Sequence, residues 1–295
     1  MDVFVQQVVN AASLGGTYAL LALGLAVVFS ILGMINFAHG ALMTIAGYVM
    51  FYAGRGELPF SAAIMLAIVA ATASAVLMER IAFRPVRGAG VATMLLTSFA
   101  VGLILQVGFQ IFIDTRPKVV PMPDALTASV SVGQVTVGVI QLVSIGVTAV
   151  MLVLLSAFLK YTVVGLAMRA AAENFDVTRL MSIRANTVIS TAFAISGLLA
   201  AVAGVLWIAQ RASVDPLMGF LPVLKAFIAA ILGGLGSLTG AVAGGFALGI
   251  MEVFLSAYLP DGALPFRDAI ALMLVIVVLM YRPQGLVAPR AELAR

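Results

Sequence analysis

Four stretches of this chain, Leu14 to Leu32, Phe60 to Met78, Ala89 to Ile113 and Val139 to Leu159, run for the thickness of a bilayer almost without a charged residue. About 18 such residues suffice to cross the hydrocarbon core as a helix. In lipid every backbone N–H and C=O must be paired inside the protein, which leaves helices and closed barrels as the spanning forms. The runs lack the period-two alternation of barrel strands. The fold class is therefore read as all-α, a polytopic integral membrane helical bundle. Helices are expected near 8–33, 35–53, 59–78, 89–113, 139–159 and 188–210, as a broken pair near 220–232 and 240–259, and near 267–281. That is about 8–9 transmembrane segments with a broken glycine-rich helix, in a single transmembrane domain spanning 1–295.

Composition agrees: 63% of the 295 residues are hydrophobic and 9% charged, far from the balance of a soluble domain. A formal charge of +4 would suggest nucleic acid in a soluble protein, but here the cations fall mostly in loops, and no nucleic-acid partner is expected. Ten cations fall on one side, in the segments 79–88 and 160–187 and in the tail, against five on the other, Arg55, Arg116, Lys118, Arg211 and Arg267. The positive-inside rule makes the richer side cytoplasmic, with the N-terminus outside and the C-terminus inside. The N-terminus lacks a positive n-region, so no cleaved signal peptide is expected. Without cysteine there is no disulfide or thiolate site. Residues 114–138 read as an external loop ending in a small hairpin around Gly133.

Between two apolar runs lies "GLAMRAAAENFDVTRLMSI", Gly165 to Ile183, with Arg169, Glu173, Asp176 and Arg179. On a helix Arg169 and Glu173 are i,i+4 neighbours and Asp176 and Arg179 are i,i+3, while Leu166, Met168, Leu180, Met181 and Ile183 remain to pack. A lipid-binding interfacial helix would be rich in Lys and Arg alone. Mixed signs suit a groove in another protein, or an ordinary cytoplasmic loop.

Three further segments carry polar groups into apolar surroundings. "GMINFAHGALMTIAGY", Gly33 to Tyr48, holds Asn36 and the single histidine, His39, beside Gly40. Polar groups at membrane depth face a cavity or a partner, or else bond to a neighbouring carbonyl. One histidine and no cysteine do not make a metal site. "ILGGLGSLTGAVAGGFALGIMEVF", Ile231 to Phe254, contains Gly233, Gly234, Gly236 and Ser237. Such a run either packs helices tightly or breaks a helix along a pathway. Lys225 and Glu252 flank that break and are expected to pair. Gln106 and Gln110 share a helix face and either line a polar path or bridge helices.

These segments resemble the branched-chain amino acid permease family of ABC importers, specifically the first of its two permease subunits. The opening stretch is similar to that family's coupling loop: Gly165, Arg169, Ala170, Glu173, Leu180, Met181 and Ile183 match, while Ser182 and Arg184 stand where the family usually has Gly and Asn. "INFAHG", the preceding "TYALLALGLAVVFSILG", the glycine run with Thr239 in place of the usual Pro, and "YRPQGL" from Tyr281 to Leu286 also match, in order. The resemblance implies an ATPase-coupling segment of Gly165, Arg169, Ala170, Glu173, Asp176, Arg179, Leu180 and Ile183. It also implies a second permease subunit as a heterodimer partner, two cytoplasmic ATPase subunits and a periplasmic substrate-binding protein. No G-x-x-x-x-G-K-[ST] string occurs, so ATP and Mg are expected on partner subunits, with no cofactor or catalytic residue in this chain. Candidate residues of the translocation path are Asn36, His39, Gly40, Gln106, Gly233, Gly234, Gly236, Ser237 and Glu252. Competing readings are a urea or short-amide importer, an ion-coupled transporter using Glu252, and an intramembrane hydrolase pairing Ser237 with His39.

Overall fold

The structure is a computed structural model and describes residues 2–132, 135–175, 178, 181 and 183–287. In chain order the helices are α1 (Asp2–Leu32), α2 (His39–Arg55), α3 (Phe60–Met78), α4 (Val91–Phe112), α5 (Val139–Tyr161) and α6 (Val163–Glu173). They are followed by α7 (Ala185–Arg211), α8 (Phe220–Gly233), α9 (Leu238–Tyr258) and α10 (Arg267–Tyr281). Seven of these, α1, α3, α4, α5, α7, α9 and α10, are long and apolar enough to cross a membrane, and α8 is a shorter apolar helix. With the 17-residue α2 they account for the expected number of segments.

The helices α1 and α7 lie side by side and are buried along most of their length, whereas α3, α4, α5 and α10 keep most of their apolar surface exposed. The division follows from side-chain size. Lipid offers no hydrophobic drive for helices to associate, so close packing depends on small residues. On α3 these are Ala63, Ala67, Ala71 and Ala75, one per turn and all buried, while Met65, Val69 and Leu77 face outward. At Gly197 of α7 a Cβ would lie 2.5 Å from that of Ala75, so the two backbones meet directly.

Among the described residues four short strands lie in the connections. β1 (Lys118–Val119) pairs antiparallel with β4 (Ser213–Val214), and β2 (Ser129–Val132) with β3 (Val135–Gly138), Ser129 opposite Gly138. The second pair is the expected hairpin; its central residues 133–134 lie outside the described residues. The first pair, reinforced by Val120 N donating to Ala212 O at 2.9 Å, ties the loop after α4 to the end of α7. In that loop Lys118 donates to Asp114 and holds its carboxyl below the usual carboxylate range, so the pair persists at neutral and mildly acid pH.

These contacts define two ends. The start of α1, the loop 114–122 and the α7–α8 connection share one end. The opposite end gathers residues 79–90, α6, the start of α7 and the α8–α9 turn, onto which the C-terminal segment folds: Leu286 N donates to Leu232 O at 2.8 Å and Val287 N to Gly233 O at 3.0 Å. Two expected boundaries move. α2 begins at His39 rather than near 35, because Asn36 Oδ1 accepts from Ala38 N at 3.1 Å in a side-chain turn that competes with helix. The amphipathic stretch is interrupted at Asn174 after the helix that ends at Glu173, and is helical again at Phe175 and Thr178 among the described residues.

Candidate functional site

The α6 segment is built as a short helix lying against the bundle by one face. Thr162 caps it, its Oγ1 accepting from Gly165 N at 2.9 Å and donating to Phe158 O at 2.7 Å. A Cβ at Gly165 would lie 2.4 Å from Phe158 O, so the sharp turn out of α5 requires glycine there. Gly165, Met168 and Ala171 face inward; Arg169 and Glu173 are exposed, Ala170 and Ile183 half-buried. Two expectations change. Leu166 and Met181 do not pack but are exposed, lying off the narrow inward stripe. No ion pair joins Arg169 to Glu173, in keeping with the weaker order of a basic residue preceding an acidic one. The result is an outward face of one cation, one anion and bare apolar side chains. Asp176, Arg179 and Leu180 lie outside the described residues.

At the same end of the bundle the structure reveals a cluster that sequence reasoning missed. α3 runs into a π-helical turn, Glu79–Phe83, in which the fully buried Glu79 receives Arg84 at 3.0 Å, Arg87 at 2.6 Å and Ser190 Oγ at 2.8 Å. Arg87 also donates to Asn186 Oδ1 at 2.9 Å. The α3–α4 connection is thereby locked to the first turns of α7, the helix that follows the α6 segment. The available signal was an acid closing an apolar run, with arginines five and eight residues later; only their positive sign was used.

At the α1–α2 bend His39 is fully buried. Its Nδ1 lies 3.0 Å from Ser196 Oγ, and a Cβ at Gly24 would come 2.7 Å from its Cε1. Asn36 is buried beside it, and Ser98 of α4 holds the same bend, donating to Ile35 O at 3.2 Å and accepting from Phe37 N at 3.3 Å. His39 Nε2 and Asn36 Nδ2 have no protein partner. Neither residue is among the walls of the cavity between α2 and α4, and the histidine faces Ser196, not Ser237, which removes the hydrolase pairing.

A cavity of about 400 Å³ opens between α2, α4 and the chain leading into α8. Gly40, Thr44, Phe99, Leu103, Gln106 and Phe220 are among its walls, and no charged side chain lines it. Thr44 Oγ1 donates to Gly40 O at 3.2 Å, and Gly40 lies so close to Gly219 that a Cβ there would sit 2.4 Å from its carbonyl oxygen. Among the described residues Gln106 makes no hydrogen bond to another helix, and it borders the cavity.

The remaining candidates lie elsewhere. Gly234 and Gly236 adopt φ of 113° and 87°, conformations open to glycine, and turn α8 into α9; Ser237 caps α9 through Gly240 N at 3.0 Å. Glycine supplies the bend that proline would otherwise provide. The carbonyls of Leu232 and Gly233 are occupied by the C-terminal segment. Glu252 sits at the other end, its Oε1 accepting from Lys225 at 2.7 Å and its Oε2 from Tyr18 OH at 2.8 Å, with Asp268 and Arg267 adjoining. The expected Lys225–Glu252 pair is present. A carboxylate bound this way is a structural lock.

The comparisons match this architecture. A family model described as "Branched-chain amino acid transport system / permease component" covers residues 7–279. The high-affinity branched-chain amino acid transport system permease protein BraD of Pseudomonas aeruginosa is 36% identical over 302 residues, 98% of this chain and 97% of BraD. The corresponding LivH protein of Escherichia coli K12 is 36% identical over 304 residues, 98% of this chain and 97% of its own length. Among solved structures, a chain of PsaBC from Streptococcus pneumoniae in complex with Fab aligns with TM-score 0.50 and 15% identity, covering 97% of this chain and 94% of that one, a likeness of fold. Seven membrane-length helices, relatives aligned nearly end to end and a matching family model place this chain in the branched-chain amino acid transport permease family.

Proposed function

We propose that the chain is the first permease subunit of an ATP-driven ABC importer that carries branched-chain amino acids across the bacterial inner membrane. The observation that carries this reading is α6: a capped helix held to the bundle by three small or flexible residues, with its charged and apolar outer face unpartnered among the described residues, in a chain without a nucleotide-binding loop. Two cytoplasmic ATPase subunits bind ATP and Mg and grip α6, a second permease completes a heterodimer, and a periplasmic binding protein delivers substrate. The α6 end is cytoplasmic, with the C-terminus, and the N-terminus is periplasmic. ATP binding biases a two-state equilibrium of the paired bundles by moving α6.

The cavity between α2 and α4 forms this chain's share of the passage wall. A lipid-facing surface would be uniformly apolar, whereas this one carries Thr44, Gln106 and the Gly40 backbone. Its apolar walls suit an aliphatic side chain better than urea or a short amide, and its two polar groups suit a substrate held loosely. Asn36 and His39 position the wall from behind by fixing the bend before α2. An ion-coupled mechanism is disfavoured because Glu252 is already committed to Lys225 and Tyr18.

Glu173→Arg and Arg169→Glu test the assignment. Each is expected to insert normally but to lose ATPase copurification and uptake by about tenfold or more, the consequence of losing one charge-assisted contact of about 1.5–3 kcal/mol. Uptake driven by ATP in proteoliposomes without an ion gradient is expected for the unaltered complex. Normal copurification and uptake in both variants would remove α6 from the coupling role.

A further inference from the structure

We propose that a recess between the α3–α4 connection and the start of α7 binds the headgroup phosphate of an anionic phospholipid in the leaflet at the α6 end. The recess has a volume of about 380 Å³ and is lined by Arg80, Arg84, Asn186, Thr187, Ser190 and Thr191. These are two guanidiniums, an amide and three hydroxyls, with no acid among the lining residues. Arg80 forms no ion pair among the described residues. Arg84 turns Nε and one terminal nitrogen to Glu79, and the latter also reaches Ser190 Oγ at 3.2 Å, while its other terminal nitrogen has no hydrogen bond. Among the described residues Glu79 is the single carboxylate paired with Arg84 and Arg87, and Arg80 is unpaired, so these four side chains keep two positive charges. No side chain caps α7, whose N-terminal end adds a further positive field.

The surroundings identify the source of the phosphate. Met65, Val69, Leu77 and Ile81 are exposed on α3 and its π-helical extension, four, eight and four residues apart, along the outward surface of the helix that leads to Arg80 and Arg84. An apolar track of membrane length ending at two arginines matches acyl chains ending at a headgroup. A protein partner approaching from the aqueous phase would need no such track. Basic recesses between membrane helices are suited to anionic headgroups, with about 1 kcal/mol, roughly fivefold, per basic residue near the surface. The occupant would share Arg84 and Ser190 with Glu79, so lipid charge would bear on the joint between the α3–α4 connection and α7.

The test uses the purified full chain in phosphatidylcholine vesicles doped with a trace of nitroxide-labelled phosphatidylglycerol or, in parallel, nitroxide-labelled phosphatidylcholine. More immobilised phosphatidylglycerol than phosphatidylcholine is expected for the unaltered chain. Arg80→Glu should lower that preference by about fivefold or more, Thr187→Val by less, and Arg80→Lys should retain it. Arg80 is exposed, so these variants keep the fold, as verified by an unchanged elution profile. Equal immobilisation of the two lipids, or an unchanged preference in Arg80→Glu, would overturn the proposal. Displacement of the labelled lipid by inorganic phosphate would show a site for the free ion instead. An Arg80→Glu variant that keeps its lipid preference but loses ATPase copurification would show a protein contact, and would equally overturn it.

Discussion

Glu79→Ala is expected to lower the stability of the purified protein by about 3 kcal/mol, measured as a fall in the midpoint of thermal unfolding in detergent. Removing one member of a buried ion pair leaves its partners uncompensated and costs about 3–5 kcal/mol. The lower figure applies because the Arg84 side chain is 38% exposed and water screens part of its charge. The loss should concentrate at the α6 end, since Glu79 joins the α3–α4 connection to Ser190, and Arg87 joins it to Asn186. Arg84→Gln alone should cost less, because Arg87 still satisfies the carboxylate at 2.6 Å. An unchanged midpoint in Glu79→Ala would mean that the cluster carries no net stability.

Gly249→Leu is expected to disrupt the packing of α1 against α9 at a cost of about 3 kcal/mol or more. A Cβ at Gly249 would lie 2.3 Å from Gly15 Cα, and one at Gly245 would lie 2.4 Å from Ala19 Cα. These are backbone atoms that no rotamer change can move, so the helices must separate. Overpacking ordinarily costs about 1–3 kcal/mol, and this site is at the upper limit or beyond it. Loss of the folded fraction on size exclusion, with Gly262→Ala unchanged as a control in open space, is the expected result. A Gly249→Leu protein as stable as the parent would show that the glycine run does not set the helix spacing.

The membrane bundle was legible because hydrophobic length is a local property. Each apolar run carried its own evidence, and Lys225–Glu252 could be paired because a lone charge in a greasy helix demands a partner. The α2 boundary was misread because "INFAHG" is apolar enough to extend a helix, while the Asn36 side-chain turn that delays it is a matter of geometry. The Glu79 cluster was illegible for a different reason: its third and fourth partners, Ser190 and Asn186, lie more than ninety residues away and are unremarkable in sequence. Asn36 and His39 could be recognised as special, but not as buried behind the cavity wall, because polarity at membrane depth does not say which way a residue faces. Gly40 and Gln106 were named with them, and the structure puts those two at the cavity.

The separation of α6 from the cavity is the chief mechanical feature. α6 lies against the ends of α5 and α7, while the cavity lies between α2 and α4. The Glu79 cluster joins the start of α7, against which α6 lies, to the α3–α4 connection, and is one connection between the two regions. Residues such as Ser98, which tie α4 to the bend before α2, extend it to the wall.

The claim on which the rest depends is that α6 is gripped by a separate ATPase. The chain contains no cysteine, so Leu166→Cys introduces a single thiol on the exposed face of α6 without background. Cross-linking from that thiol in membranes holding the whole transporter is expected to capture an ATPase subunit, with a yield that changes when ATP is added. Labelling of the same thiol in intact cells by a membrane-impermeant reagent, with no ATPase captured, would contradict the account.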